Sequence, residues 1–195
     1  MEIPDRLPLP FKFDPALLLR DLENLASVDW IAHFVTQNYD GDWSVIPLRS
    51  PVGARHPVMM IYSDPTAKRF EDTPMLGICP YFRKVLGTFA CEVLSARLMR
   101  LAPGSLIKEH RDHDLSVERG TVRIHIPIAT NPGVEFELNR SRVVMKPGSA
   151  WYLRLSDPHR VANNGATDRV HMVVDLIVNE WIREILQQAV RRQSP

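Results

Sequence analysis

Two cysteines are few for a chain of 195 residues. Cys79 and Cys91 have neither the spacing of a metal site nor that of a disulfide framework, so reduced and partly buried thiols are expected. Charge of one sign is lacking too. Twenty-four Lys and Arg stand against 23 Asp and Glu, a net charge of +1. That removes any bulk electrostatic case for binding nucleic acid or a membrane surface, although local basic patches remain allowed. No stretch reaches the roughly 20 apolar residues of a membrane span. Met1–Arg6 lacks the apolar run of a signal peptide, so a cytoplasmic location is the expectation. No internal repeat or low-complexity segment is present.

What the chain does have is apolar residues in quantity. They make up 45% of it, against 24% charged residues, which suits one globular domain over residues 1–195 with a sizeable core. The 16 prolines are scattered through hydrophobic sequence and read as turns and strand edges rather than disorder. Residues 1–13 alternate Pro with Leu and Phe, as in an extended arm. Asp14-Pro15 reads as an N-cap with Pro at the first helical position, and Leu17, Leu18, Leu22 and Leu25 recur at helical spacing. A short helical stretch is expected around Trp30–Val35. A turn and strand follow over Gly41–Arg49, and a second strand over Val58–Tyr62. Cys79–Phe89 reads as a helix with Phe82, Val85, Leu86 and Phe89 on its core stripe.

From Glu92 onward the pattern is strands: Val93–Leu101, Ser105–His110, Thr121–Ile128, Val134–Leu138, Arg142–Met145, Ala150–Leu155, the neighbourhood of Val161, and Arg169–Val178. A helix over Asn179–Arg192 closes the chain. Many short strands with turn signals between them predict a mainly β fold with flanking helices. A double-stranded β-helix, the cupin-like jelly roll, is the architecture chosen. Residues 1–40 would form the arm and first helices, 41–178 the roll with its inserted helix, and 179–195 the C-terminal helix.

The stretch from Lys108 to Val174 holds the candidate chemistry. His110 and Asp112 are two apart, so at the end of one strand their side chains point to one side. A third ligand must then come from a neighbouring strand, and His159 is the candidate. Two imidazoles and one carboxylate on one face of a metal leave three positions open, the ligand set of non-haem Fe(II) oxygenases. Arg169, ten residues beyond His159, is the candidate anchor for an acidic co-substrate. The two would lie on adjacent strands, joined by a hairpin turning at Asn164-Gly165. Taken singly, His110 and Asp112 would be a solvated loop pair, His159 a turn histidine and Arg169 a surface cation; it is their joint placement at strand ends that points to a site.

Arg123 and His125 alternate with Val122, Ile124 and Ile126. Facing the interior they would be costly unless paired or ligand-bound, and facing out they would simply be solvated. His171 reads as a satisfied core histidine or a group behind the site. His113 competes with Asp112 but would point away from His110. His33 and His56 have no constellation around them. Trp43, Arg49 and Arg55 are lesser candidates for the mouth of a site.

On these residues the chain resembles the aspartyl/asparaginyl β-hydroxylase family over roughly residues 40–178. The resemblance is carried by Leu101-Ala102-Pro103-Gly104, His110-Arg111-Asp112, Arg123-Ile124-His125-Ile126-Pro127, Lys146-Pro147-Gly148, His159 and Arg169. It implies a jelly roll using Fe(II), 2-oxoglutarate and O2. His110, Asp112 and His159 would be the metal ligands, and Arg169 the partner of the 2-oxoglutarate C5 carboxylate. Arg123 and His125 would contact its C1 carboxylate or an acidic part of the substrate. Vertebrate members that hydroxylate peptidyl Asp and Asn lack the carboxylate ligand. With Asp112 this chain looks more like the bacterial proline 3-hydroxylases of the same superfamily, which add a C-terminal helical region where only about 17 residues follow Val178 here.

The function implied is hydroxylation of an unactivated C–H in an amino acid, a peptidyl Asp or Asn, or a related small acidic substrate, with release of succinate and CO2. The partners would be a small-molecule or peptide substrate and O2, with no nucleic acid and no membrane. The sequence does not set the oligomeric state. A cupin-type metal enzyme without 2-oxoglutarate and a non-catalytic binding module on the same fold are the alternatives.

Overall fold

The computed structural model describes residues 3–62, 64 and 66–193, so the first two residues of the expected arm and the last two of the expected C-terminal segment lie outside it. The chain opens with β1 (Arg6–Lys12) and α1 (Pro15–Glu23), then β2 (Ile31–Ala32), β3 (Tyr39–Asp40) and β4 (Trp43–Pro51). Three short helices, α2 (Pro57–Ile61), α3 (Pro74–Gly77) and α4 (Pro80–Leu86), surround β5 (Phe70–Asp72). The strand-rich part follows as β6 (Val93–Leu101), β7 (Leu106–His110), β8 (Thr121–Ala129), β9 (Val134–Leu138) and β10 (Ser141–Arg142). It ends with β11 (Ser149–Leu153), β12 (His159–Asn163), β13 (Arg169–Ile177) and the helix α5 (Glu180–Gln193).

The strands form two antiparallel sheets. The larger has the order β1-β11-β8-β13-β6-β4-β2, with β5 paired to β4; the smaller runs β10-β9-β12-β7-β3. This is the mainly β jelly roll expected. The proline-rich arm is a true edge strand, its register running from Arg6 opposite Leu153 to Lys12 opposite Ser149. Gly148 has a φ of 77°, and a Cβ there would collide with the Phe13 carbonyl, so the Lys146-Pro147-Gly148 turn needs glycine where the arm crosses it.

The alternation on the central strands decides which layer each side chain enters. Val122, Ile124 and Ile126 of β8, with Met172, Val174 and Leu176 of β13, belong to a core between the large sheet and the helices. Leu18 of α1, Phe82 and Val85 of α4, and Ile182 and Leu186 of α5 close that core. Arg123, His125, Arg169, His171 and Asp175 sit at the intervening positions, buried toward the interior of the roll. The cap of α1 is as expected, Asp14 accepting from the N–H groups of Ala16 and Leu17.

Four local expectations are corrected. Trp30–Val35 is not helical; Ile31 and Ala32 pair with Val45 and Ser44. Val58–Tyr62 is not a strand, because His56 caps Val58 N–H and Pro57 starts a five-residue helix. Of the expected Arg142–Met145 strand only Arg142 is in a paired strand, opposite Glu137, with Ser141 before it opposite Leu138. His159 and Arg169 do not lie on paired strands: β12 pairs with β7 and β9, while β13 pairs with β6 and β8. The Asn164-Gly165 turn therefore carries the chain from one sheet to the other, pinned by Asn163 Nδ2 donating to the carbonyls of Leu101 and Thr167.

Candidate metal and ligand site

His110 ends β7 and His159 begins β12, and the two are directly opposite in the antiparallel register. That pairing, rather than proximity in sequence, brings their rings to a centroid separation of 4.2 Å. Nδ1 of His110 lies 2.8 Å from the Lys108 carbonyl, and Nδ1 of His159 lies 3.0 Å from the Asp157 carbonyl. A carbonyl only accepts, so each Nδ1 carries the proton and each Nε2 keeps a free lone pair. Asp112 follows the strand end, its N–H donating to the Leu155 carbonyl at 2.8 Å. One carboxylate oxygen stands 3.8 Å from His110 Nε2, while the other accepts from Arg123 Nη1 at 2.9 Å.

The three side chains each present a ligand atom, all within 4.8 Å of one another. Burial, followed by the nearness of the second imidazole, His110, pushes the His159 pKa down to about 4, so the His159 ring is neutral and able to ligate near pH 7. A borderline divalent metal fits two neutral imidazoles and one carboxylate. His113, the competing residue, is exposed and stands outside this trio.

The trio faces a cavity of about 510 Å³, which Arg169, His125, Arg123 and Trp43 also line. Arg169 is only 2% exposed. Among the described residues, the one hydrogen-bond partner of its guanidinium is His171 Nδ1, at 2.8 Å. Because a guanidinium only donates, that nitrogen accepts and His171 is neutral. No carboxylate pairs with Arg169 among the described residues, and burial drags its pKa down to about 9. Beside it, both ring nitrogens of buried His125 lack a partner among the described residues. Burial first, then Arg169, holds the His125 pKa well below its ordinary value. A buried unpaired cation next to an unsatisfied imidazole costs stability until an anion arrives.

Arg123 faces the interior and is paired there. Its Nε and Nη2 donate to the two oxygens of Asp175, at 2.6 and 2.9 Å, and its Nη1 to Asp112. Asp175 also accepts from Arg97 Nη2 at 2.6 Å and Ser95 Oγ at 2.8 Å. Burial alone would lift the Asp175 pKa, but Arg123 and Arg97 hold it well below the carboxylate range. The direct neighbours of Arg123 are thus a metal-ligand candidate and a buried acid.

Of the lesser candidates, Trp43 lines the cavity, whereas Arg49 is tied to Asp72 and Arg55 lies exposed near Glu71. Arg97, Asp175 and His33 line the cavity and were missed in the sequence. The rule applied to Arg123 would have found the first two, because each is a charge at an inward position of a buried strand. No local signal marks His33, which lies flat on Trp43 with centroids 3.5 Å apart.

A jelly roll with a His-x-Asp pair on one strand end and a second His on the strand beside it defines the class of metal-binding β-roll proteins. Within that class the chain belongs to the aspartyl/asparaginyl β-hydroxylase family, whose model matches residues 16–178. It is similar to the L-proline cis-4-hydroxylase of Rhizobium meliloti (strain 1021), 27% identical over 169 residues that cover 84% of this chain and 58% of that protein. It is also similar to L-proline cis-3-hydroxylase 1 of a Streptomyces species, 26% identical over 85% of this chain and 57% of that protein. The chain thus spans under three fifths of the length of these curated relatives. Among solved structures, a 2OG-Fe(II) oxygenase family oxidoreductase from Burkholderia pseudomallei shares the fold at a TM-score of 0.55 and 16% identity, covering 90% of this chain and 88% of that one. A Pseudomonas putida prolyl-4-hydroxylase does so at a TM-score of 0.53 and 10% identity, covering 90% and 93%. No helix among the described residues is long and apolar enough to cross a membrane.

Proposed function

We propose that this chain is an Fe(II)- and 2-oxoglutarate-dependent dioxygenase that hydroxylates an unactivated C–H of an amino acid, a peptidyl Asp or Asn, or a related small acidic substrate. The observation that carries the reading is the pairing of His110, Asp112 and His159 with Arg169, a buried guanidinium that has no carboxylate partner among the described residues. In the balanced reaction one O2 oxidises 2-oxoglutarate to succinate and CO2, and the second oxygen atom enters the substrate C–H as a hydroxyl. Iron, when bound, supplies the activation of O2 that couples the two halves.

The protein's share is placement. His110, Asp112 and His159 would hold the metal, beside the cavity they line. The Lys108 and Asp157 carbonyls fix the two tautomers, and Arg123 fixes Asp112 through the oxygen turned away from His110. Arg169 pairs with the distal carboxylate of 2-oxoglutarate, and the neutral His125 donates or accepts beside it. The low exposure of this end keeps water from competing for those bonds.

The test is anaerobic reconstitution with Fe(II), then 2-oxoglutarate, then O2. A weak metal-centred absorption band should grow on adding 2-oxoglutarate, and succinate should form when O2 is admitted. His159→Ala should remove both. Full metal content and turnover in that variant would refute the ligand assignment, and a band indifferent to 2-oxoglutarate would refute the co-substrate.

A further inference from the structure

The cavity has a second wall that neither the metal nor the co-substrate uses. Trp43 opens β4, its ring centroid 6.4 Å from that of His110. His33 stacks on Trp43 at 3.5 Å and 8°, and Phe34 continues beyond His33 at 4.8 Å and 17°. Phe34 then meets Tyr62 edge-on at 5.5 Å. Trp43 is buried, whereas Phe34 and Tyr62 are 37% and 38% exposed, so the wall runs from the metal ligands out to solvent. Burial first, then Arg97, holds the His33 pKa down at about 3, which leaves the wall uncharged near pH 7. Touching aromatic rings left partly in water on a cavity rim are what an apolar ligand would cover.

Charge narrows the occupant further. The lining carries three guanidiniums, Arg97, Arg123 and Arg169, and four carboxylates, Asp64, Asp112, Asp114 and Asp175. Arg97 is buried and its Nε has no partner among the described residues, which leaves a donor for one carboxylate. Arg97 is the guanidinium nearest the aromatic wall by bonding: its Nη1 donates to the carbonyl of Ile61, the residue before Tyr62, at 2.8 Å. Two of the four acids, Asp64 and Asp114, pair with no guanidinium among the described residues. Asp64 is engaged by Thr66, but the exposed Asp114 has no side-chain partner among the described residues and suits an ammonium group.

We propose that the substrate is a free α-amino acid with one carboxylate and a large apolar side chain, its carboxylate drawn toward Arg97 and its side chain laid on Phe34 and Tyr62. The proposal rests on the dioxygenase reading and deepens it. A cavity of about 510 Å³ falls within the roughly 300–1,000 Å³ of sites for drug-sized ligands, which leaves space for such a side chain beside the co-substrate.

The test is calorimetric binding to the chain loaded with redox-inert Zn(II) and 2-oxoglutarate. L-Phenylalanine and L-leucine should bind at least tenfold tighter than L-proline, L-aspartate or a capped aspartyl peptide. Phe34→Ala and Tyr62→Ala should each weaken L-phenylalanine at least fivefold, with 2-oxoglutarate binding unchanged. Both rings are partly exposed, so either variant should fold, and Tyr62→Phe should restore binding. Tighter binding of L-proline, L-aspartate or the peptide, binding of none of these probes, or indifference to both alanine variants would overturn the proposal while leaving the dioxygenase reading in place. If 2-oxoglutarate itself fails to bind the Zn(II)-loaded chain, both fall together.

Discussion

Two arginines in this chain grip a carboxylate with the same two-pronged geometry, each from the directly opposite position on a neighbouring strand. Arg123 of β8 faces Asp175 of β13 inside the roll, with contacts of 2.6 and 2.9 Å and side chains 10% and 6% exposed. Arg160 of β12 faces Glu137 of β9 on the outer face of the small sheet, with contacts of 2.9 and 2.6 Å and side chains 35% and 28% exposed. Identical forks are not worth the same. In the interior the field is poorly screened and loss of one partner strands a charge away from water. Outside, water replaces a lost partner at once. The connections differ as well. The inner fork continues through Arg97 and Ser95 on one side and Asp112 on the other, so it ends at the candidate metal ligands. Among the described residues the outer fork reaches only to Glu135, at 3.8 Å.

The largest effect should come from cutting the inner fork. Asp175→Ala leaves two buried guanidiniums without their shared acid, a loss of about 3–5 kcal/mol by chemical denaturation. Arg123 would then hold Asp112 less firmly, and Fe(II) affinity should fall by roughly 10- to 100-fold, as for other partners behind a metal ligand. The same pair predicts an acid limb. The folded pKa of Asp175 is depressed, so between it and the unfolded value the unfolded chain binds more protons. Its contribution is therefore complete above the ordinary carboxylate range near pH 4 and is lost as pH falls further toward the folded value. Asp175→Asn should flatten that limb. A variant as stable as the parent, with the same acid profile, would show that the inner fork is no stronger than the outer one.

How much of this could be read from the chain follows from the same contrast. The alternation of Val122, Ile124 and Ile126 with Arg123 and His125 was legible, because period two on a buried strand sorts side chains without any knowledge of neighbours. The joint placement of His110, Asp112 and His159 was legible as types and spacing. The register that sets His159 opposite His110 is a tertiary fact, fixed by the pairing of β12 with β7. The partners of Arg123 were not legible for that reason: Asp175 is 52 residues away and is chosen by the pairing of β8 with β13. The hairpin expected between His159 and Arg169 failed because an Asn-Gly turn fixes a reversal but not which sheet the chain enters next. Val58–Tyr62 failed for a simpler reason: a five-residue apolar run carries too little periodicity to separate helix from strand, and the His56-Pro57 start decided it.

A third arginine sharpens the comparison, because it sits inside with no acid partner among the described residues. Arg169→Met keeps most of the side chain's volume and removes a buried cation that has no carboxylate among the described residues. Without ligand, stability should hold or rise, since apolar replacement of buried charge is often neutral or favourable. With 2-oxoglutarate the order should reverse. At 100 times its dissociation constant the ligand adds about 2.7 kcal/mol to the parent, and the variant should lose most of that gain. Thermal unfolding of the Zn(II)-loaded proteins with and without 2-oxoglutarate reads both effects. An equal ligand-induced rise in Tm for the two would mean that the co-substrate carboxylate lies elsewhere.

The smallest effect is reserved for the fork that looks as good as the inner one by distance alone. Arg160→Ala should cost about 0–1 kcal/mol in urea unfolding, the range of exposed pairs. The difference should shrink further in 1 M salt, where the Debye length is about 3 Å. Metal and 2-oxoglutarate binding should not change, although the preceding residue is the candidate ligand His159, because Arg160 points to the opposite face of the sheet and its partners are Glu137 and Glu135. A cost near that of Asp175→Ala, insensitive to salt, would show that fork geometry rather than burial sets the strength of these pairs, and the reasoning that separates the two faces of the roll would have to be rebuilt on register instead.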